Sequence, residues 1–190
     1  KVVITVTPRP VQSVTAKAEP AIAKQELKIG APLVATINGG KESEISFATH
    51  DANGRTSQVA LFVPAGAIAG SATLSISAEK DASPTEKGFE SLVIQILSTD
   101  ASPITRLAAP LILRVSRQGS IAQPSMSEDG ITWVALPQVT GTTLQQGQAG
   151  GYYLGASKNL NILTLELSVF DLLKRQYVLY VKPVASPLAV

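Results

Sequence analysis

An antiparallel β-sandwich, Greek-key-like and with little or no helix, is the fold this sequence predicts. Two observations point there. Runs rich in Val, Ile, Leu, Thr and Ser are interrupted by Gly, Pro, Asn or Asp about every ten residues, the rhythm of short strands joined by tight turns. No window repeats apolar residues at helical spacing, and only FDLLKR (170–175) suits a turn of helix. Strands without intervening helices pair antiparallel, which favours a sandwich over a parallel α/β sheet.

Each element follows from its own residues. KVVITV (1–6) reads as a strand stopped by Pro8 and Pro10, and VQSVTAKA (11–18) as a weaker extended piece before Pro20. LVATIN (33–38) runs into the turn Asn38-Gly39-Gly40, and ESEISFAT (42–49) into Asp51-Ala52-Asn53-Gly54. QVALFV (58–63) places Val59, Leu61 and Val63 on one face and ends at Pro64, which has no N–H to give a ladder. After the Pro-Ala-Gly-Ala corner, SATLSISA (71–78) sends Leu74 and Ile76 inward and Ser75 and Ser77 outward. SLVIQIL (91–97) is apolar on both faces, as a central strand would be, and LILRVS (111–116) turns Leu111, Leu113 and Val115 inward. ITWVAL (131–136) is expected as a strand after the turn Glu128-Asp129-Gly130. NILTLELSV (161–169) alternates Leu163, Leu165, Leu167 and Val169 with Thr164, Glu166 and Ser168, and YVLYVKP (177–183) is the last strand. The expected core is Trp133, Leu113, Ile94, Leu163, Leu165 and Leu167.

Composition narrows the functional classes. A chain of 190 residues with 45% hydrophobic and 16% charged residues is globular. It is long enough to bury roughly 70% of its unfolded surface without staples. Net charge is +2, and the densest basic cluster is Lys174-Arg175, so nucleic acid is not an expected partner. Cysteine is absent, which removes disulfides, thiolate catalysis and zinc on sulfur. The single histidine, His50, leaves no His-paired metal site. No apolar run approaches the roughly 20 residues that span a bilayer, since VALFVPAGAIAG (59–70) is broken by Pro64, Gly66 and Gly70. The chain opens at Lys1 rather than Met, which we read as a processed or partial chain whose targeting signal lies outside it.

Four motifs stand in order through the middle of the chain: Pro64-Ala65-Gly66-Ala67, Pro110-Leu111-Ile112-Leu113, Asp129-Gly130-Ile131-Thr132-Trp133 and Leu167-Ser168-Val169-Phe170. Together they resemble the ZU-five-like domain over roughly residues 31–175. That β-sandwich module occurs in netrin receptors, zonula-occludens proteins and ankyrins, and as a unit of bacterial secreted and cell-surface proteins, whose versions look closest. Each motif residue also has a structural role: Gly66 frees the corner backbone, Asp129-Gly130 suits a tight hairpin, and Trp133 suits a core plug. The resemblance therefore implies a fold and little chemistry. It divides the chain into an N-terminal strand and Pro-containing linker (1–30), the sandwich (31–176), and a C-terminal strand and tail (177–190).

Candidate chemistry is thin beside the simpler readings. Relatives of this fold cleave themselves before a Ser in a His/Ser-Phe-Ser-like sequence, the hydroxyl attacking its own preceding carbonyl. Leu167-Ser168 falls where that bond would lie, but Glu166 stands where cleaving versions often carry His, and both Glu166 and Ser168 are expected to face solvent. His50-Asp51 could seed a hydrolytic site, yet a His beside Asp in a turn is ordinarily solvated, and Gly70-Ser71 lacks a nucleophile elbow. Asp51-Ala52-Asn53-Gly54 starts like a calcium loop, but Phe62 stands where the bidentate Glu belongs. Lys80 and Lys87 sit beside Asp81 and Glu86 and form no basic patch. Tyr152-Tyr153 could stack on a sugar, although adjacent strand residues face opposite sides and one of them should be core.

The expectations are then these. No catalytic set, cofactor or metal is required. The chain is a non-enzymatic structural or assembly module of an exported bacterial cell-surface or appendage protein, polymerising by strand exchange. A glycan-binding adhesion module and a self-cleaving domain are the alternatives. Copies of itself or neighbouring domains are the expected partners, with glycan also open and membrane insertion not expected. Both ends are apolar and β-prone with little charge to block edge pairing, which makes Val2, Val3, Ile4 and Val6, and Tyr177, Leu179 and Val181, the candidate assembly strands.

Overall fold

The computed structural model describes residues 25–28, 30–50, 55–80, 90–99, 104, 107–119, 121, 123–139, 151–157, 160–167 and 176–182. These form strands β1 (Leu33–Asn38), β2 (Ser43–His50), β3 (Thr56–Val63), β4 (Ser71–Lys80), β5 (Glu90–Ser98), β6 (Leu111–Arg117), β7 (Ser125–Ser127), β8 (Val134–Ala135), β9 (Gly151–Ser157), β10 (Leu160–Leu167) and β11 (Gln176–Lys182). A six-stranded sheet, β1-β4-β5-β11-β7-β8, lies on a five-stranded sheet, β2-β3-β6-β10-β9. Every pairing between these strands is antiparallel, and no described residue is helical. The predicted β-sandwich is the observed fold.

Side-chain alternation explains why the sheets stack. In the five-stranded sheet Ile45, Leu61, Leu113, Leu165 and Tyr152 form one continuous cross-strand row. In the six-stranded sheet Ile76, Ile94 and Leu179 do the same. Phe47, Leu61, Leu74, Ile94, Ile96, Leu111, Leu113, Leu163, Leu165, Leu167, Leu179 and Val181 are each 0% exposed. Each such burial contributes roughly 1.5–3 kcal/mol, so the inward positions of both sheets supply the main driving force.

The chain crosses between sheets at corners. At the β3–β4 corner Pro64 ends β3, Gly66 (φ +79) reverses the backbone, and Gly66 N–H donates to Gly39 O at 2.6 Å. Gly39 N–H in turn donates to Gly70 O at 2.7 Å, which ties the β1–β2 and β3–β4 corners together. Leu27 joins the core at 4% exposure, and residues 25–27 run parallel to the end of β2. The sandwich therefore takes in residues before 31, and it continues past 176 through β11.

β11 is hydrogen-bonded to β5 along Gln176–Val181 and to β7 along Tyr180–Lys182. Tyr177 lies opposite Ile96, and the Leu179 and Val181 side chains sit inside the core. In the single chain this strand completes its own sheet, so handing it to another copy would require it to leave β5 and β7. Val2, Val3, Ile4 and Val6, with the 11–18 piece and the turn at 170–175, lie outside the described residues.

Three elements differ from expectation. The 131–136 strand shrinks to Val134–Ala135, because Asp129 holds the preceding residues in a turn. β7 and β9 were not anticipated: β7 has only three residues, and Gly151 and Gly155 break the apolar pattern of β9.

Candidate functional site

The most differentiated surface lies where the β7–β8 hairpin folds beside the end of β11. Ser125 pairs with Ala135 and Met126 with Val134, leaving residues 128–133 as the connecting loop. Asp129 builds that loop. Its Oδ1 accepts from Ile131 N–H at 2.8 Å, Thr132 N–H at 2.7 Å and Ser127 Oγ at 2.8 Å, and Oδ2 accepts from Thr132 Oγ1 at 3.0 Å. Gly130 takes the left-handed backbone (φ +74) and donates its N–H to Ser127 Oγ at 2.9 Å. This is an Asx-type turn, the mechanism by which Asp substitutes its side chain for a backbone acceptor. The Thr132 and Ile131 amides and the Ser127 hydroxyl together hold the Asp129 carboxyl far below the usual carboxylate range.

The loop places Trp133 over Lys182, whose Nζ lies 4.1 Å from the ring centroid. That is cation–π geometry. Lys182 follows the inward Val181, so by strand alternation it faces the outer side of its sheet, and it is buried all the same. Trp133 is half-buried. The expected core plug is thus corrected: the Asp129 turn keeps the indole out of the ladder, and it packs on a lysine at the sheet's surface instead of between the sheets. Ile131 (84% exposed) and Val134 (55%) make the rest of the hairpin apolar toward solvent.

The other sequence candidates are dispersed. His50 Nδ1 lies 3.2 Å from Glu26 Oε1 on the surface, so its partner is a glutamate from before β1. Asp51, Asn53, Gly54, Lys87 and Ser168 lie outside the described residues. Lys80 ends β4, with its side chain outside the description. Glu166 is half-buried, against the solvated position expected, and burial pushes its carboxyl upward. Tyr152 is buried and Tyr153 half-buried, one on each side of β9. Among the described residues no group of three or more His, Cys, Asp or Glu could hold a metal ion. No described helix is long and apolar enough to cross a membrane.

Sequence reasoning missed the polar end of the core. The inward phase Leu111, Leu113, Val115 continues to Arg117, which is 1% exposed. Its cross-strand neighbours are Ser57 and Asn161, and Thr49 lies beyond Ser57, so the last inward row of this sheet is polar. Asn161 Nδ2 donates to Gly119 O at 2.5 Å. The signal was available: Arg117 keeps the parity of Leu113 and Val115.

Comparison of the chain with protein-family models, with curated proteins and with solved structures finds no match. The class the structure defines is the antiparallel β-sandwich.

Proposed function

We propose that this chain is a non-enzymatic structural and assembly module of an exported bacterial cell-surface or appendage protein. The observation that carries the reading is β1, a six-residue edge strand without a charged residue, on a scaffold whose two sheets enclose a largely apolar core. Edges of this kind invite pairing with another strand. The order of the four motifs that resemble the ZU-five-like domain supports the cell-surface setting. Exchange of terminal strands is the form of assembly expected from the sequence alone, and β1 offers a form that leaves the pairing of β11 intact. Sedimentation equilibrium on the full chain tests the reading. Mass rising with concentration supports it, and a single-chain mass up to about 500 µM, a range that captures weak complexes, rejects it.

One observation favours a second reading, glycan binding. Trp133 is half-buried beside the exposed Ile131, and a partly open indole is a surface on which a sugar ring can stack. Trp133 is also the only tryptophan, so its fluorescence reports the site directly. Titration with cell-wall and host oligosaccharides would shift that emission if the reading holds, and an unchanged spectrum at millimolar sugar rejects it.

A further inference from the structure

We infer that two copies of this chain join antiparallel along β1 about a twofold axis through Ala35, so that the two six-stranded sheets become one continuous sheet. The inference rests on the assembly reading above and names its partner and contact.

The four sheet edges differ in a way that singles out β1. The β2 edge is capped by residues 25–27: Leu27 N–H donates to Ala48 O at 2.8 Å and Ala48 N–H to Gln25 O at 2.8 Å. The β9 edge is capped by residues 137–139: Tyr152 N–H donates to Pro137 O at 3.0 Å and Val139 N–H to Tyr152 O at 2.8 Å. β8 is only two residues long. β1 has six residues paired to β4, and no described residue bridges to its other side. Its sequence, LVATIN, contains none of the charge, proline or glycine that blunts an edge.

The strand is also complementary to itself. Antiparallel partners must share parity if inward residues are to meet inward residues. Pairing about Ala35 satisfies this. Leu33 lies opposite the partner subunit's Ile37 on the core side, and Val34 lies opposite the partner subunit's Thr36 on the outer side. Val34 is 65% exposed in the single chain, so the contact covers apolar surface that otherwise faces water. No like charges meet, and a twofold contact is isologous and closes at two copies. A six-residue edge covers far less than the roughly 1,200 Å² of a stable interface, so the dimer forms on concentration and dissociates on dilution.

The test uses the full chain. Val34→Lys with Thr36→Lys places lysines at exposed positions that would meet across the axis, while the fold's own contacts are retained. Sedimentation equilibrium from about 5 to about 500 µM should show the wild type rising toward twice the chain mass. The double variant should stay at one chain mass with an unchanged thermal melt. Because the chain has no cysteine, Ala35→Cys adds a direct probe of register. Directly opposed residues bring Cα atoms to about 4.5–5.5 Å, within disulfide range, so mild oxidation should link A35C into a covalent dimer. Ser75→Cys, on β4, should not link. If the wild type self-associates and the lysine variant does so equally, the β1 contact is wrong while the assembly reading stands. If the wild type remains a single chain throughout, both fall.

Discussion

Replacing Gly39 by Ala should be among the most damaging single-methyl changes in this protein. A Cβ built there would lie 1.9 Å from Ile68 O, 2.6 Å from Gly70 O and 2.9 Å from Ile68 C. All three are backbone atoms of the β3–β4 corner, so no side chain can swing aside to make room. The same contact carries the Gly39 N–H to Gly70 O and Gly66 N–H to Gly39 O hydrogen bonds. Overpacking costs about 1–3 kcal/mol, and each of the two lost hydrogen bonds adds about 0.5–1.5 kcal/mol, which gives a total of about 2–6 kcal/mol. At about 2–4 °C per kcal/mol for a chain of this size, the melting temperature should fall by about 4–24 °C. Gly40→Ala is the matched control. Its Cβ would meet only Asn38 Oδ1 at 3.3 Å, a side-chain atom that can give way. Urea melts of the two variants decide the matter. Equal destabilisation, or a loss below about 0.5 kcal/mol for Gly39→Ala (the noise of ordinary surface changes), would refute the corner-packing argument.

The remaining predictions concern the core and the carboxylates. Leu165→Ala, in the cross-strand row between Leu113 and Tyr152, should destabilise by about 2–5 kcal/mol, measured by chemical denaturation. Removing residues 177–190 takes away β11 with Leu179 and Val181, and circular dichroism should show an unfolded chain, because the loss is comparable to the whole stability of a domain. Glu166 has its folded pKa raised by burial above the ordinary 4.5, so its protonated form is favoured by folding. That contribution is complete below the unfolded pKa and disappears as pH rises through the raised folded value. Glu166→Gln should therefore stabilise at neutral pH and lose its advantage below about pH 4, where the wild-type carboxyl is already protonated. Asp129 behaves oppositely. Its folded pKa is lowered, so its stabilisation is present above the ordinary value of 3.8 and is lost as pH falls below it. Trp133 emission should stay constant from neutral pH down through the ordinary carboxylate range and shift only well below it, and Asp129→Ala should produce that shift at neutral pH.

Residue type and alternation determined most of this fold before any tertiary contact was known. β1 matches the expected 33–38, and β4, β5, β6 and β11 begin within one residue of expectation. There, a clean inward–outward alternation leaves a single pairing phase, and a run apolar on both faces suits a central strand. Leu113, Ile94, Leu163, Leu165 and Leu167 were legible as core for the same reason. Tertiary structure decided the rest. β9 became a strand because β10 and residues 137–139 supply partners on both of its sides, a signal its glycines conceal. Trp133 looked like a core plug because size and hydrophobicity favour burial, yet the four hydrogen bonds of Asp129 turn the loop away from the ladder and set the indole on Lys182. Whether an apolar strand is an interior element or an open edge is a property of its neighbours and not of its own side chains. LVATIN and YVLYVK are both rich in β-prone residues, but β11 lies between β5 and β7, whereas among the described residues β1 borders β4 alone. Local periodicity reports which face of a strand is wet; only the assembled sheets determine which backbone hydrogen bonds already have partners.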